Sequence, residues 1–257
     1  HCGSEQITQS TDVLDTWFSS GLLPVSVFGW PNITVENRAD AALSRADFDG
    51  FYPTSLLVTV FDILFFWVAR MILATTYVTG QVPFKTVYLH GLVRTEQGHK
   101  MSKSNPETII DPMEVISEYG TDSLRFALIQ GMSPGNDQKL GLSKIVTNRN
   151  FCNKLWNIAR YVEGVIGDDV NRKEVEPKTA ADHWIVQQLA DAQTKINADL
   201  AKYRFSEAYD TLYHFIWDDL ADWYIEDSKA ELNRQLLAYL LETVLIMAHP
   251  FAPFITE

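Results

Sequence analysis

The polarity pattern is clearest from Pro53 onward. Pro53-Thr54-Ser55-Leu56-Leu57-Val58-Thr59-Val60 is a short apolar run behind a turn signal, which suits a buried parallel strand. Phe61 to Tyr77 is long and apolar enough for a helix, and Thr79-Gly80 supplies its stop. Thr86-Val87-Tyr88-Leu89-His90-Gly91 repeats the strand pattern. Strand, helix and strand within about 40 residues make a βαβ unit, and such units place ligands beyond the carboxyl ends of their strands. Those ends are Val60-Phe61-Asp62 and His90-Gly91.

Further along, the period becomes helical. Asp111-Pro112 starts a short helix that Gly120 ends, and Thr121-Asp122 can cap the next one. Pro134-Gly135 marks a turn, Ser143 to Val165 is a good helix, and Gly167 to Thr179 is a polar linker. Three periodic segments follow, Ala181 to Ala201, Phe205 to Lys229 and Leu232 to Met247, and His249-Pro250 stops the last. The expected fold class is α/β followed by all-α: half of a Rossmann-like unit, then a helix bundle. No internal repeat is apparent.

Composition narrows this picture. A chain of 257 residues with 46% hydrophobic content can bury one large core or two smaller ones. Ser55 to Val78 resembles a membrane span, but Asp62 and Arg70 near its middle would each cost about 2.5–3.5 kcal/mol at a bilayer centre. A strand and a buried helix explain it better, and no membrane is expected. Cys2 and Cys152 sit far apart and in no ligand spacing, which suits a reducing cytosol and gives no metal site. No signal or transit peptide is read at the first residues, so the expected location is cytoplasmic.

The formal charge of −12 argues against a general nucleic-acid binder, yet it is unevenly spread. Between Asp137 and Glu163 lie Lys139, Lys144, Arg149, Lys154 and Arg160 with no acid among them. From Gly164 to Glu257 there are 8 basic and 17 acidic residues. Such a basic stripe can hold a polyanion locally, and a solvated helix face explains it equally well.

The sharpest chemistry is the string Lys100-Met101-Ser102-Lys103-Ser104, just past Gly98. Two lysines three apart, with one hydroxyl between them, a second just after and no carboxylate in the string, can converge on one polyanion, and lysine's flexible stem can follow phosphates that move. A chance match to this string in a chain of this length is about one in ten thousand. It resembles the signature loop of class I aminoacyl-tRNA synthetases.

Other stretches resemble the valyl-tRNA synthetases in particular. They are Asp12 to Ser20 with Gly29-Trp30-Pro31, Phe61 to Met71, Val82-Pro83-Phe84-Lys85 and His90-Gly91-Leu92-Val93-Arg94. Asn150 to Asn157 and Trp217 to Glu226 are similar to that family's anticodon-binding domain. The resemblance implies the second half of a Rossmann-like catalytic domain over 1–98, the signature loop and stem-contact helices over 99–142, and a truncated anticodon-binding helix bundle over 143–257. It implies ATP-dependent activation of valine to valyl-adenylate, then transfer to the 3′ end of its tRNA. Lys100 and Lys103 become the catalytic residues, with Lys103 the better placed for direct triphosphate contact. Lys100, Ser102, Lys103, Ser104, His90 and Gly91 become ATP-binding, with Mg2+ as nucleotide counter-ion. Trp17, Asp62, Ile63 and Trp67 become the amino-acid pocket, Ile63 and Trp67 sharing a helical face. Arg149, Asn153, Trp156 and Arg160 become the tRNA-facing residues, and a monomer is implied.

The chain also departs from that pattern. The family's His-x-Gly-His motif and its editing domain are absent, so the chain reads as an internal piece of a larger enzyme, inactive alone. Val60 stands where the family usually has glycine, and Asn105 to Asp111 is one residue longer than the usual run. An isoleucyl- or leucyl-type relative, or a non-catalytic tRNA-binding module, are the alternatives.

Overall fold

The computed structural model describes residues 6, 8–31, 45–101, 110–167 and 175–257. By packing they form two compact units, His1–His90 and Gly91–Glu257.

In the first unit, helices α1 (Thr16–Gly21), α2 (Leu23–Ser26) and α3 (Arg45–Phe51) precede strand β1 (Leu57–Val60). Asp15 caps α1 by accepting the Trp17 N–H at 2.7 Å. Strand β2 (Val87–His90) pairs with β1 in parallel, Leu57 opposite Val87 and Val60 opposite His90. The expected βαβ unit is therefore present, with strands shorter than the apolar runs. Its crossover is not one α-helix. It opens with a 3₁₀ turn at Phe61–Ile63, passes through a π-helical stretch at Leu64–Val68, and becomes α-helical only over α4 (Ala69–Thr79). Gly80 ends α4 in the left-handed region at φ +75°, as the Thr79-Gly80 stop predicts. Among the described residues, Phe61–Thr79 is the one helix long and apolar enough to cross a membrane. Here it connects two strands paired residue for residue.

The second unit begins with β3 (Val93–Arg94), paired in parallel with β4 (Gln138–Lys139). Neither strand is legible in the sequence: β3 lies before the Lys100–Ser104 string, where no strand is expected, and β4 lies after it, where only helices are expected. Between them lie α5 (Pro112–Tyr119) and α6 (Thr121–Ile129). Asp111 caps α5 as expected, its carboxylate accepting the Met113 N–H at 2.8 Å. Asp122 does not cap α6, whose N-cap is Gly120 at φ +86°. Its buried carboxylate instead accepts the Ile255 N–H at 2.6 Å, at the start of the last helix, α12 (Pro253–Thr256).

The bundle comprises α7 (Leu142–Ile166), α8 (Ala180–Ala201), a long rod and α11 (Arg234–Ala248). The rod runs from α9 (Phe205–His214) through a ten-residue π-helical stretch, Phe215–Tyr224, to α10 (Ile225–Ser228). One continuous core joins these helices, with Phe126, Phe151, Tyr209, Phe215, Tyr224 and Phe251 all at most 2% exposed. A second, smaller cluster of Val115, Leu124, Ala127, Leu140 and Ile145 lies between α5, α6 and α7.

Candidate functional site

Lys100 stands on a short hairpin. The Gly98 N–H donates to the Thr95 carbonyl and the Thr95 N–H to the His99 carbonyl, both at 2.9 Å, while the Thr95 hydroxyl receives the His99 N–H at 3.0 Å. Gly98 turns the chain at φ +90°, a conformation open to glycine at little cost. Arg94 and Lys100 then face each other in an antiparallel bridge. The Asp137 carboxylate anchors this hairpin by accepting the Leu92 N–H at 2.8 Å and pairing with the Arg94 guanidinium. Those two donors, with the positive field of Lys100, hold its carboxyl below the usual range against the opposing effect of desolvation. Arg94 also reaches the Gly98 carbonyl, so one side chain ties Asp137 to the turn.

Ser102, Lys103 and Ser104 lie outside the described residues. The residues flanking that segment are informative. Met101 and Ile110 both pack against the small cluster around Val115 and Ile145, so the chain leaves and regains the same core.

His90 is the last residue of β2, opposite Val60. Gly91 is buried, and a Cβ there would overlap the Asn136 carbonyl, so the close passage of the 136–137 backbone demands glycine. This gives Gly91 a packing role independent of any ligand.

In the first unit, Trp17 occupies the first turn of α1, which packs on α4 and on the π-helical stretch carrying Trp67. The Arg70 guanidinium lies over the Trp17 ring. Desolvation there draws the Arg70 pKa down, with Asp15 opposing. Arg70 joins this group; in the sequence it is a charge inside an otherwise apolar run, within the Phe61–Met71 stretch but with no site role of its own. Gly21 lets α1 and α4 approach, since a Cβ on it would lie 3.3 Å from the Ala74 Cβ. Asp62 and Ile63 are exposed in the turn after β1, and Trp67 is half-buried. The α-helical face expected to join Ile63 to Trp67 does not form, because Ile63 closes a 3₁₀ turn and Trp67 lies in π-helix.

The basic stripe is divided by the fold. Asn153, Trp156 and Arg160 are exposed on one face of α7, with Trp156 56% exposed. Arg149 is half-buried, near the Tyr119 ring and bonded to Asn150. Lys144 turns inward and donates to the Gln130 carbonyl, and desolvation lowers its pKa to about 8. Lys154 pairs with Asp222 at 2.6 Å beside the Trp217 ring. Arg160 thus carries the unpaired charge of this face among the described residues.

Comparison with known proteins decides the family. Residues 1–141 match the model of class I tRNA synthetases of the isoleucine, leucine, methionine and valine group. The chain belongs to the class I tRNA synthetases. Residues 182–257 match the anticodon-binding domain of tRNA ligases, and α7 lies between the two matched ranges. Among curated relatives, this synthetase chain is 45% identical to the valine–tRNA ligase of Dehalococcoides mccartyi, covering 100% of the chain. It is 46% identical to that of Geobacter sulfurreducens over 100% of the chain, and 44% to that of Bacillus subtilis over 99%. The chain spans 28–29% of the length of these relatives. The fold resembles an Agrobacterium radiobacter K84 leucyl-tRNA synthetase, solved as a ternary complex with tRNA and LeuAMS. There the TM-score is 0.80 at 18% identity, covering 97% of this chain and 32% of that one. It also resembles the Mycobacterium tuberculosis methionyl-tRNA synthetase bound to methionyl-adenylate, with TM-score 0.69 at 18% identity, over 93% and 48% of the two chains.

Proposed function

We propose that this synthetase chain serves ATP-dependent attachment of valine to its cognate tRNA through a valyl-adenylate. The observation that carries this reading is identity of 44–46% to valine–tRNA ligases along essentially the whole chain. Activation is a displacement at the ATP α-phosphate, which needs positioning and neutralisation of charge more than acid–base groups. Lys100, on a hairpin pinned through Arg94 to Asp137, and Lys103 supply that neutralisation, with Ser102, Ser104, His90 and Gly91 beside the nucleotide. Mg2+ enters this reading as the counter-ion of the nucleotide. Phosphate oxygens would be its ligands, as is usual for this ion.

Trp17, Ile63 and Trp67 wall the valine side chain in this reading, Asp62 receives its ammonium group, and Arg70 braces the Trp17 indole. The tRNA meets Arg149, Asn153, Trp156 and Arg160. The three-part division at 98/99 and 142/143, a cytoplasmic location and a monomeric state belong to the same proposal.

The test is a graft. These 257 residues replace the matching segment of the Bacillus subtilis valine–tRNA ligase, and amino-acid-dependent ATP–pyrophosphate exchange is measured. Exchange with valine far above isoleucine, leucine and methionine supports the reading. A soluble, folded graft that prefers another amino acid overturns it.

A further inference from the structure

The register of the small sheet in the second unit assembles charges that lie far apart in sequence. Arg94 of β3 stands opposite Lys139 of β4, and on its other side opposite Lys100. Residues directly opposite across strands project from the same face, with Cβ atoms about 4.5–5.5 Å apart. Lys139, Arg94 and Lys100 therefore form a row of three cations across three adjacent strand segments. Like charges placed opposite one another destabilise a sheet. The chain as a whole has 33 acidic and 21 basic residues, so acids were available to relieve the row.

Only partial relief is present. Asp137, two residues before Lys139 and so on the same face, is engaged by Arg94 and the Leu92 N–H. Lys100 and Lys139 are exposed, and neither ammonium group has a hydrogen bond or ion pair among the described residues. Lys139 is nevertheless not splayed away. Its Cε lies 3.6 Å from where a Gly98 Cβ would sit, so its stem is laid along the turn that leads into Lys100. The row holds two ammonium groups without a direct acidic partner within roughly 10 Å, two inter-strand spacings, with Asp137 acting on Lys100 only through its field. That compactness suits the clustered oxygens of a polyphosphate better than the spaced phosphates of an RNA backbone.

We propose that Lys139, Arg94 and Lys100 form a polyphosphate-binding row, in which Lys139 adds a phosphate contact from outside the signature loop and Asp137 holds Arg94 in place. The proposal rests on the ATP-dependent reading above. Lys139 touches the phosphates, whereas Asp137 acts through Arg94 and is a positioning residue.

The experiment measures binding of inorganic tripolyphosphate to the 257-residue chain by calorimetry at several salt concentrations, for wild type, Lys139→Gln and Lys202→Gln. Lys202 is an exposed lysine at the end of α8. Loss of Lys139 is expected to weaken tripolyphosphate about fivefold and to flatten the salt dependence, with Lys202→Gln matching wild type. In the grafted ligase, Lys139→Gln should raise the KM for ATP more than the KM for valine. Wild-type affinity in Lys139→Gln, or no tripolyphosphate binding by wild type, overturns the row. Weakened binding of a short RNA duplex with unchanged tripolyphosphate affinity also overturns it, and reassigns these cations to the RNA backbone. A graft that fails to activate valine strikes the functional reading alone, because the binding measurement does not depend on it.

Discussion

The Tyr224 hydroxyl donates a 2.8 Å hydrogen bond to the buried Asp182 carboxylate, joining the end of the π-helical stretch to the first turn of α8. Asn233 donates to the same carboxylate at 2.7 Å and the Lys178 N–H at 2.9 Å. Burial pushes this carboxyl upward, but the donors outweigh it and its pKa lies below the ordinary value. A depressed folded-state pKa gives stability that is full above the unfolded value and is lost as pH falls through the folded one. Tyr224→Phe should cost about 1–3 kcal/mol at pH 7, since a buried charged acceptor loses a donor. Urea denaturation over a series of pH values descending from 7 checks this. The gap between the two chains should narrow as pH falls through the folded-state pKa, and a gap that never narrows would mean that the hydroxyl acts through packing alone.

Lys144 gives a pH dependence of the same sign in the alkaline range. Its pKa is lowered to about 8 by desolvation. Between that value and the unfolded value of about 10.4, the unfolded chain binds the extra proton, so this group makes stability rise with pH. The Gln130 carbonyl would keep a second donor, the Gln138 amide at 3.0 Å, if the lysine were removed. Lys144→Met should therefore fold and should show a shallower gain in urea midpoint between about pH 8 and pH 10 than wild type. Parallel curves would place the ammonium group in solvent.

In the grafted ligase, Lys103→Ala should lower the activation kcat by more than tenfold, about 1.4 kcal/mol or more of transition-state stabilisation, with the valine KM little changed. A contact made mainly in the transition state reduces kcat, whereas one made equally in the ground state shifts KM. Steady-state pyrophosphate exchange separates these cases, and an unaltered kcat would remove the loop from the chemistry.

On α7 the exposed cation is Arg160, not the whole stripe. Arg160→Ala should weaken tRNA binding and reduce the salt slope of the grafted ligase by a little under one unit, the share of one neutralised phosphate. Arg149→Ala should do less, because Arg149 is half-buried beside Tyr119. Filter binding over a salt series measures both, and equal slopes for Arg160→Ala and wild type would leave this face merely solvated.

What was legible in the sequence is what local pattern controls. The βαβ unit, the bundle helices, the Gly80 and Gly120 stops and the Asp111 cap all follow from neighbours a few residues away. What was not legible depends on partners far along the chain. Asp122 reads as a helix cap, but its donor is the Ile255 N–H, 133 residues on. Lys154 reads as one of five equal cations until Asp222, 68 residues away, takes it. The candidate site shows the same division. Lys100 announces itself within a five-residue string, whereas Arg94 and Lys139 join it only through strand register, and Arg70 only through a ring on another helix.

The long rod from Phe205 to Ser228 buries Leu212, Ile216, Leu220, Tyr224 and Ser228, one every four residues. In an α-helix of 3.6 residues per turn, such a stripe would drift about 40° at each step and wind off the core. The π-helical stretch turns more slowly and cancels that drift. The rod is therefore phased in fours, which sets how its length can change in evolution or by design. Removing a single residue between Leu212 and Ser228 would turn one end's buried side chains toward water, while removing four would leave both ends in phase.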